Sequence, residues 1–416
     1  MPKRTVLKDA VKSSLKSRAE DDAWWMPTDD INKLPKNISP GLVPILHQAL
    51  QSTAKRPGTR KAVLCRPTVC HIKSVRGFDN GWGCGYRNYL MCLTALESEL
   101  ESSLSEGRPS IRALQRWMKD AWEAGYDPEG YRHFRGVIVN TQKWIGTADL
   151  YALAAYRGIS CKVFNFPATG DHKPKRIAPM HHALMRFVRM YFDGDFDEVQ
   201  FQFTLRVDSE PSTGPATIAG KAEQEGGTVT ISGRMPLILQ HEGHSRTIAG
   251  YEIDVSGATN LLILDPQSSI PAGLRNAAIA SLEMSNHQTS DAGSETSQIA
   301  RKRRKIMDNL ITMEAGHAAD PIELLSDEEM DQSGWVRKKR STSKPRSGRS
   351  GIKDALRDVF DWSKNPNATL KHFKVDLQLL SKHDEYQILS FDGRPLLTPE
   401  ERVRRKVVTA TTILPS

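Results

Sequence analysis

GWGCGYRNYLMCLTALESELE, residues 81 to 101, sets Cys84 between two glycines and then runs on with apolar residues at helical spacing. The glycines break regular structure, so a helix is predicted to begin at the cysteine. A cysteine attacks a carbonyl only as its thiolate, and its pKa falls from about 8.5 when positive charge or a helix N-terminus lies close. The unpaired N–H groups of the first turn, starting with that of Cys84, are placed to hold an oxyanion. Gly83 and Gly85 lack a Cβ and are expected to border an extended substrate main chain.

Such a nucleophile needs a base, and the base needs an orienting group. His244, in QHEGHSRTIAGYEID (240 to 254), precedes an apolar strand, and NLLILDP (260 to 266) follows after the turn-like DVSGAT. An antiparallel hairpin centred between Asp254 and Val255 sets His244 opposite Asp265, which would accept the imidazole N–H and leave the other nitrogen for Cys84. His241 would point to the other face of its strand. His71 and His133 read as ordinary polar residues, and Cys65, Cys70, Cys92 and Cys161 as small hydrophobes. Cys65, Cys70 and His71 have no second pair at ligand spacing, so no zinc finger is expected. The chemistry calls for no metal and no cofactor.

The 416 residues leave room for a large core. Residues 1–38 are charged and irregular and are expected to form a flexible arm. A globular domain over 39–267 has helical periodicity in IRALQRWMKDAWEAG and TADLYALAAYRG, and strand-like runs at CKVFNF, MPLILQ, TIAGYEI and NLLILDP. Helices first and strands later indicate an α+β fold. Residues 268–351 are polar and low in complexity, the composition of a disordered insert, and 352–412 return to globular composition as the domain's last part. The formal charge of +9 owes much to RKRRK (301 to 305) and RKKR (337 to 340) in that insert. Charge of this origin does not indicate a nucleic-acid groove. An odd cysteine count and an N-terminus without an apolar core indicate an intracellular protein with reduced thiols, and no window is apolar enough for a membrane span.

GWGCGYRN, KWIGTADLY (143 to 151), LQHEGHSRTIAGYE (239 to 252) and LLILDP (261 to 266), in this order, resemble the UFSP/ZUFSP family of cysteine peptidases. The resemblance implies a papain-like α+β fold, with the nucleophile at the start of a helix packed on an antiparallel sheet. It also implies cleavage after the C-terminal glycine of ubiquitin or the ubiquitin-fold modifier. Proteases for the latter, like the autophagy peptidases sharing a GWGC core, take their histidine from Asp-Pro-His. This chain has Asp265-Pro266-Gln267, so its histidine would come from GHSRT, as in the ZUFSP deubiquitinase branch. That branch favours lysine-sixty-three-linked polyubiquitin. Its larger animal members carry zinc fingers and ubiquitin-binding helices that have no visible counterpart here. The resemblance thus implies Cys84, His244 and Asp265 as catalytic residues, with ubiquitin and polyubiquitin as partners. The family's side-chain oxyanion donor upstream of the nucleophile has no counterpart in CHIKSVRGFDN (70 to 80).

A basic tail ending in two glycines calls for a groove narrow near Cys84 and acidic further out. Trp82 would cover the glycines, and Asp120 and Asp149 would meet the tail arginines. In the insert, RKRRK and RKKR resemble a nuclear-import signal, consistent with residence in nucleus and cytoplasm. PIELLSDEEM (321 to 330) joins Ile322, Leu324 and Leu325 to an acidic run, as in a SUMO-interaction motif that adds a strand to a sheet edge. The alternatives to a deubiquitinase are a protease for another ubiquitin-like modifier and a catalytically silent ubiquitin- or SUMO-binding module.

Overall fold

Buried runs through LLIL at the end of TNLLIL and through the middle of HSRTIAGYEID give two paired strands, and the other strands are added to that pair. The computed structural model describes residues 22–56, 58–96, 108–168, 176–198, 200–201, 227–290, 364–393 and 396–414. The chain divides into one compact unit of residues 1–282 with 360–416, and a second of residues 283–359. RKRRK, RKKR and the Ile322, Leu324 and Leu325 motif lie outside the described residues.

In chain order, β1 (Ile38–Ser39), α1 (Leu42–Ala54), β2 (Thr59–Leu64) and β3 (His71–Ile72) precede the nucleophile helix α2 (Cys84–Thr94). Then come α3 (Ile111–Glu123), α4 (Pro128–Phe134), α5 (Thr147–Tyr156), β4 (Cys161–Phe166) and α6 (Pro179–Asp193). The hairpin region holds β5 (Thr228–Ile231), β6 (Leu237–His241), β7 (His244–Asp254) and β8 (Thr259–Leu264), followed by α7 (Ala272–Ser290). The last part carries α8 (Pro366–Lys371), β9 (Lys374–Val375), α9 (Leu377–Leu380), β10 (Tyr386–Phe391), α10 (Pro399–Arg404) and β11 (Ala410–Thr412).

Strand order in the large sheet is β11-β4-β10-β6-β7-β2-β5, with β8 and then β9 on the far side of β7. Most pairs are antiparallel, and the flanking pairs β4/β11 and β2/β5 are parallel. Helices cover both faces. Asn88 of α2 bonds Ser245 and Thr247 on one, and Phe187 of α6 packs on Phe164 and Phe166 on the other. This is the expected α+β class, with α2, which begins at Cys84, packed on a mainly antiparallel sheet. All eleven residues of α2 are buried, so its polar members need internal partners.

Several elements escape the sequence reading. The periodicities above mark neither β2, a strand ahead of Cys84, nor the helix α6. Two segments read as disordered are ordered. Residues 22–38 strap the core: Trp24, Trp25 and Met26 are buried, and the Asp22 carboxylate accepts the first N–H groups of α3, Ile111 at 2.7 Å and Arg112 at 3.1 Å. Composition hid this because the strap is short and its charges serve as caps. The insert read as starting at residue 268 begins with α7. Its Leu274 and Ala278 are buried, and Arg275 donates Nε–H to the Ile38 carbonyl at 3.0 Å. Residues 360–416 belong to the same unit as the hairpin, with β10 between β4 and β6.

Candidate active site

Cys84 is the first residue of α2, with Gly83 as its N-cap. The two glycines face protein, not open cleft. A Cβ on Gly83 would lie 2.5 Å from Asp79 Oδ2 and 2.6 Å from Asp79 Cβ, and one on Gly85 would lie 2.6 Å from the Ile145 carbonyl oxygen. Their substrate-bordering role is therefore corrected to packing. Asp79 occupies the space beside Gly83 because it pairs with Arg87, Oδ2 to Nε at 2.7 Å, both side chains wholly buried. It also accepts the Val75 N–H at 2.7 Å, which clamps the loop ahead of the cysteine. Trp82 is likewise corrected. Its indole is buried, donates to the Phe78 carbonyl at 3.1 Å and stands edge-on to Phe78 and Tyr86, so it cannot cover a substrate. The exposed indole at the site is Trp144, beside Gly243 in the hairpin turn.

β6 and β7 are joined by the two residues Glu242 and Gly243, and Gly243 adopts a positive φ of 82° that suits this tight turn. His241 and His244 are therefore cross-strand partners on the same face, against the expectation of opposite faces. The β7/β8 register also differs from the one expected. Thr247 opposes Leu264, so Asp265 continues opposite Arg246, with His244 its diagonal neighbour. Side-chain reach closes the gap. His244 Nε2 lies 3.0 Å from Asp265 Oδ1, and Arg246 Nε donates to Asp265 Oδ2 at 2.9 Å. The His244 Nδ1 is buried without an aligned hydrogen-bond partner and is left for the thiol.

Cys84 faces His244 and Ser245. Burial opposes ionisation of its thiol, but the imidazole and the Ser245 groups more than offset that, and the pKa falls below the ordinary thiol value. His244 moves the other way: burial opposes its charge, yet Asp265 and Cys84 together raise it to about 9. Asp265 is opposed by burial and held low by His244, the Gln267 N–H and Arg246. Cys65, Cys92 and Cys161 are driven upward by burial, so Cys84 alone among these four is set up as a thiolate. The arrangement can support an imidazolium–thiolate pair with an oriented histidine.

Asn88, one turn into α2, donates to the Cys84 carbonyl at 2.8 Å and to Ser245 Oγ at 2.9 Å and accepts from Thr247 Oγ1, locking helix to strand. Gln240 pairs with Ser245 and so shares the α2 face of the sheet, its amide against Gly146. His71, read as an ordinary polar residue, is buried, kept neutral by burial with a pKa of about 4, and bonded to the Asp265 carbonyl at 2.8 Å. Of the acidic positions, Asp149 accepts the Gly146 N–H at 2.8 Å at the start of α5. Burial pushes its carboxyl up to about 7. Asp120 is half-buried on α3, a helix whose Gln115 binds the 140–141 backbone. Ser245 and Arg246 stand in GHSRT, Gln240 in LQHEGHSRTIAGYE and Asn88 at the end of GWGCGYRN, although nothing in those motifs gives the last two a role; no motif marks His71. Among the described residues no cluster of potential ligands suits a metal ion, and no helix is long and apolar enough to cross a membrane.

The profile of Peptidase family C78 matches residues 58–303, a span containing Cys84, His244 and Asp265. Zinc finger-containing ubiquitin peptidase 1 of Rattus norvegicus is 30% identical over 234 residues, 56% of this chain and 34% of that protein. Ubiquitin carboxyl-terminal hydrolase mug105 of Schizosaccharomyces pombe is 28% identical over 223 residues, 53% of this chain and 73% of that protein. The crystal structure of UfSP from C. elegans aligns with 48% of this chain and 26% of its own at 16% identity, with a TM-score of 0.26. The match thus spans about a third of the length of the animal relatives.

Proposed function

Because the chain belongs to peptidase family C78, we propose that it is a thiol-dependent deubiquitinase that cleaves after the C-terminal Gly-Gly of ubiquitin. The observation that carries this reading is the disposition of Cys84 at a helix N-terminus, His244 Nδ1 unpartnered beside it, and His244 Nε2 on Asp265. The Cys84 thiolate attacks the terminal glycine carbonyl, and the oxyanion is held by the Cys84 N–H at the start of α2. The imidazolium of His244 then protonates the departing lysine amine, leaving a thioester on Cys84. Water, deprotonated by His244, hydrolyses it. Arg246 keeps Asp265 ionised and fixed while Asp265 orients the ring.

Ubiquitin is preferred over the ubiquitin-fold modifier because position 267 is glutamine and the histidine comes from GHSRT. Two relatives named for ubiquitin hydrolysis support that choice. The ZUFSP resemblance extends the proposal to lysine-sixty-three-linked polyubiquitin. We further assign the acidic and basic motifs of the insert to SUMO binding and nuclear import. The first part is tested by Leu324→Ala with Leu325→Ala, which should abolish SUMO binding and leave hydrolysis intact.

The central test treats the protein and its Cys84→Ala variant with ubiquitin, SUMO and ubiquitin-fold-modifier probes bearing a C-terminal electrophile. A linkage-defined chain panel follows. An adduct with the ubiquitin probe alone, lost in the variant, is expected. An adduct with another modifier's probe alone, or ubiquitin binding without an adduct, refutes the proposal.

A further inference from the structure

The order of strands sets a row of residues along one end of the sheet. Asp265 follows β8, His244 opens β7, His241 closes β6, Tyr386 opens β10 and Phe166 closes β4. Asp265 fills one side of His244. The other side leads to His241, whose ring centre is 6.0 Å from that of His244, and then into a cavity of ≈ 370 Å³ lined in part by Gln240, His241, Glu242, Glu385 and Tyr386. That volume suits one or two side chains.

The walls carry hydrogen-bond acceptors. His241 is 6% exposed, and its Nδ1 lies 2.8 Å from the Glu242 carbonyl, which can only accept, so Nδ1 bears the proton. Its Nε2 is therefore a lone pair, buried and without a partner. Burial drives the ring's pKa to about 4, which keeps that lone pair unprotonated at neutral pH. Gln240 Oε1 is also buried and unpartnered. Glu242 and Glu385 are exposed and add two carboxylates. The nearest fixed cation, Arg246, already donates to Asp265. The two exposed carboxylates on the cavity lining fit a donor-rich cation, an arginine or lysine side chain.

The direction of the chemistry says where that cation comes from. His244 gives its proton to the leaving amine, so the acceptor's lysine departs over the imidazole. With Asp265 on one flank, the acceptor chain passes over His241 and reaches the cavity. We propose that this cavity is an acceptor-side subsite, binding a basic residue that flanks the modified lysine in the protein from which ubiquitin is removed. This rests on the deubiquitinase reading and adds a preference for the acceptor sequence.

The test compares a ubiquitin C-terminal aminocoumarin amide, which has no acceptor residues, with ubiquitin isopeptide-linked to lysine in short peptides. The peptides carry either arginine or glutamate on both sides of that lysine. The arginine peptide should be cleaved with kcat/KM about fivefold higher than the glutamate peptide, the scale of exposed ion pairs. In the Glu242→Gln, Glu385→Gln double variant that ratio should fall to about one, with aminocoumarin hydrolysis unchanged. Equal cleavage of both peptides by the wild type overturns the proposal. So does an equal loss on the aminocoumarin substrate in the double variant, since the cavity would then hold the ubiquitin tail. A wild type that cleaves none of the three refutes the deubiquitinase reading itself, and the subsite falls with it.

Discussion

Gly83→Ala separates two explanations of the glycines around the nucleophile. If Gly83 were there to admit a substrate main chain, a methyl group would raise KM and leave stability untouched. The packing says otherwise. The new Cβ would meet Asp79 at 2.5 Å from Oδ2, 2.6 Å from Cβ and 2.9 Å from Cγ. Because Asp79 Cβ is near its own backbone, rotating the carboxylate does not relieve the contact. Gly83 has a φ of −84°, so alanine adds no backbone strain and gains roughly 0.5–1 kcal/mol from a less flexible unfolded chain. Against that, overpacking costs about 1–3 kcal/mol. Displacing Asp79 from wholly buried Arg87 approaches the roughly 3–5 kcal/mol of a broken buried pair. A net loss of roughly 3–7 kcal/mol is expected, read by urea unfolding, with Tm down by about 6 °C or more for a domain of this size. At temperatures where the variant is folded, KM for a ubiquitin amide should stay within about twofold of wild type, a change worth under ~0.5 kcal/mol. A variant as stable as wild type but with sharply raised KM would refute the packing argument and return Gly83 to the substrate.

The pH profile of kcat/KM should rise as Cys84 loses its proton, below the ordinary thiol range, and fall as His244 loses its own at about pH 9. Asp265→Asn removes what raises His244, so the alkaline limb should move to lower pH while kcat drops about 100-fold or more. An unmoved limb would exclude the orienting role. Replacing Asp120 and Asp149 together by arginine should raise KM for ubiquitin substrates far more than it lowers kcat. With the Asp149 carboxyl at about 7, wild-type KM should also fall as pH rises through neutrality and that group ionises. Unchanged KM in the variant would remove both carboxylates from the groove.

The nucleophile helix and the hairpin were legible because each rests on a local pattern, a glycine-bounded start and two apolar runs about a turn. The register was not. The turn is centred on Ser256, with Ile253 opposite Thr259, where Gly257 takes a φ of 85°, and a bulge between Ile248 and Gly250 then shifts the pairing by one residue. A periodicity argument has no access to a bulge, and this one exists because the Gly250 backbone runs against Val63, where a Cβ would lie 2.3 Å from its carbonyl oxygen. The conclusion that His244 meets Asp265 survived the wrong register because diagonal neighbours on one face are within reach of an imidazole. Trp82 was misread for a related reason. Composition cannot say which of two tryptophans near a site is in the core, and that depended on Phe78 and Tyr86 folding around one of them.

What holds the triad together is largely one segment. His71 in β3 bonds the Asp265 carbonyl, and the Ser74 N–H bonds the Pro266 carbonyl at 2.7 Å. Five residues after Ser74, Asp79 takes Arg87 and the loop N–H of Val75, and Cys84 follows. The chain from His71 to Arg87 thus grips the Asp265 and Pro266 backbone at one end and carries Cys84 at the other. Asn88 then ties α2 to Ser245 and Thr247, the strand that carries the base. Cys84, His244 and Asp265 are thus tied to one another through bonds made by their buried neighbours. Sequence motifs centred on Cys84 and His244 therefore mark the residues brought together, while their alignment rests on the pairing of His71, Asp79, Arg87 and Asn88, buried polar residues whose partners only the folded chain reveals.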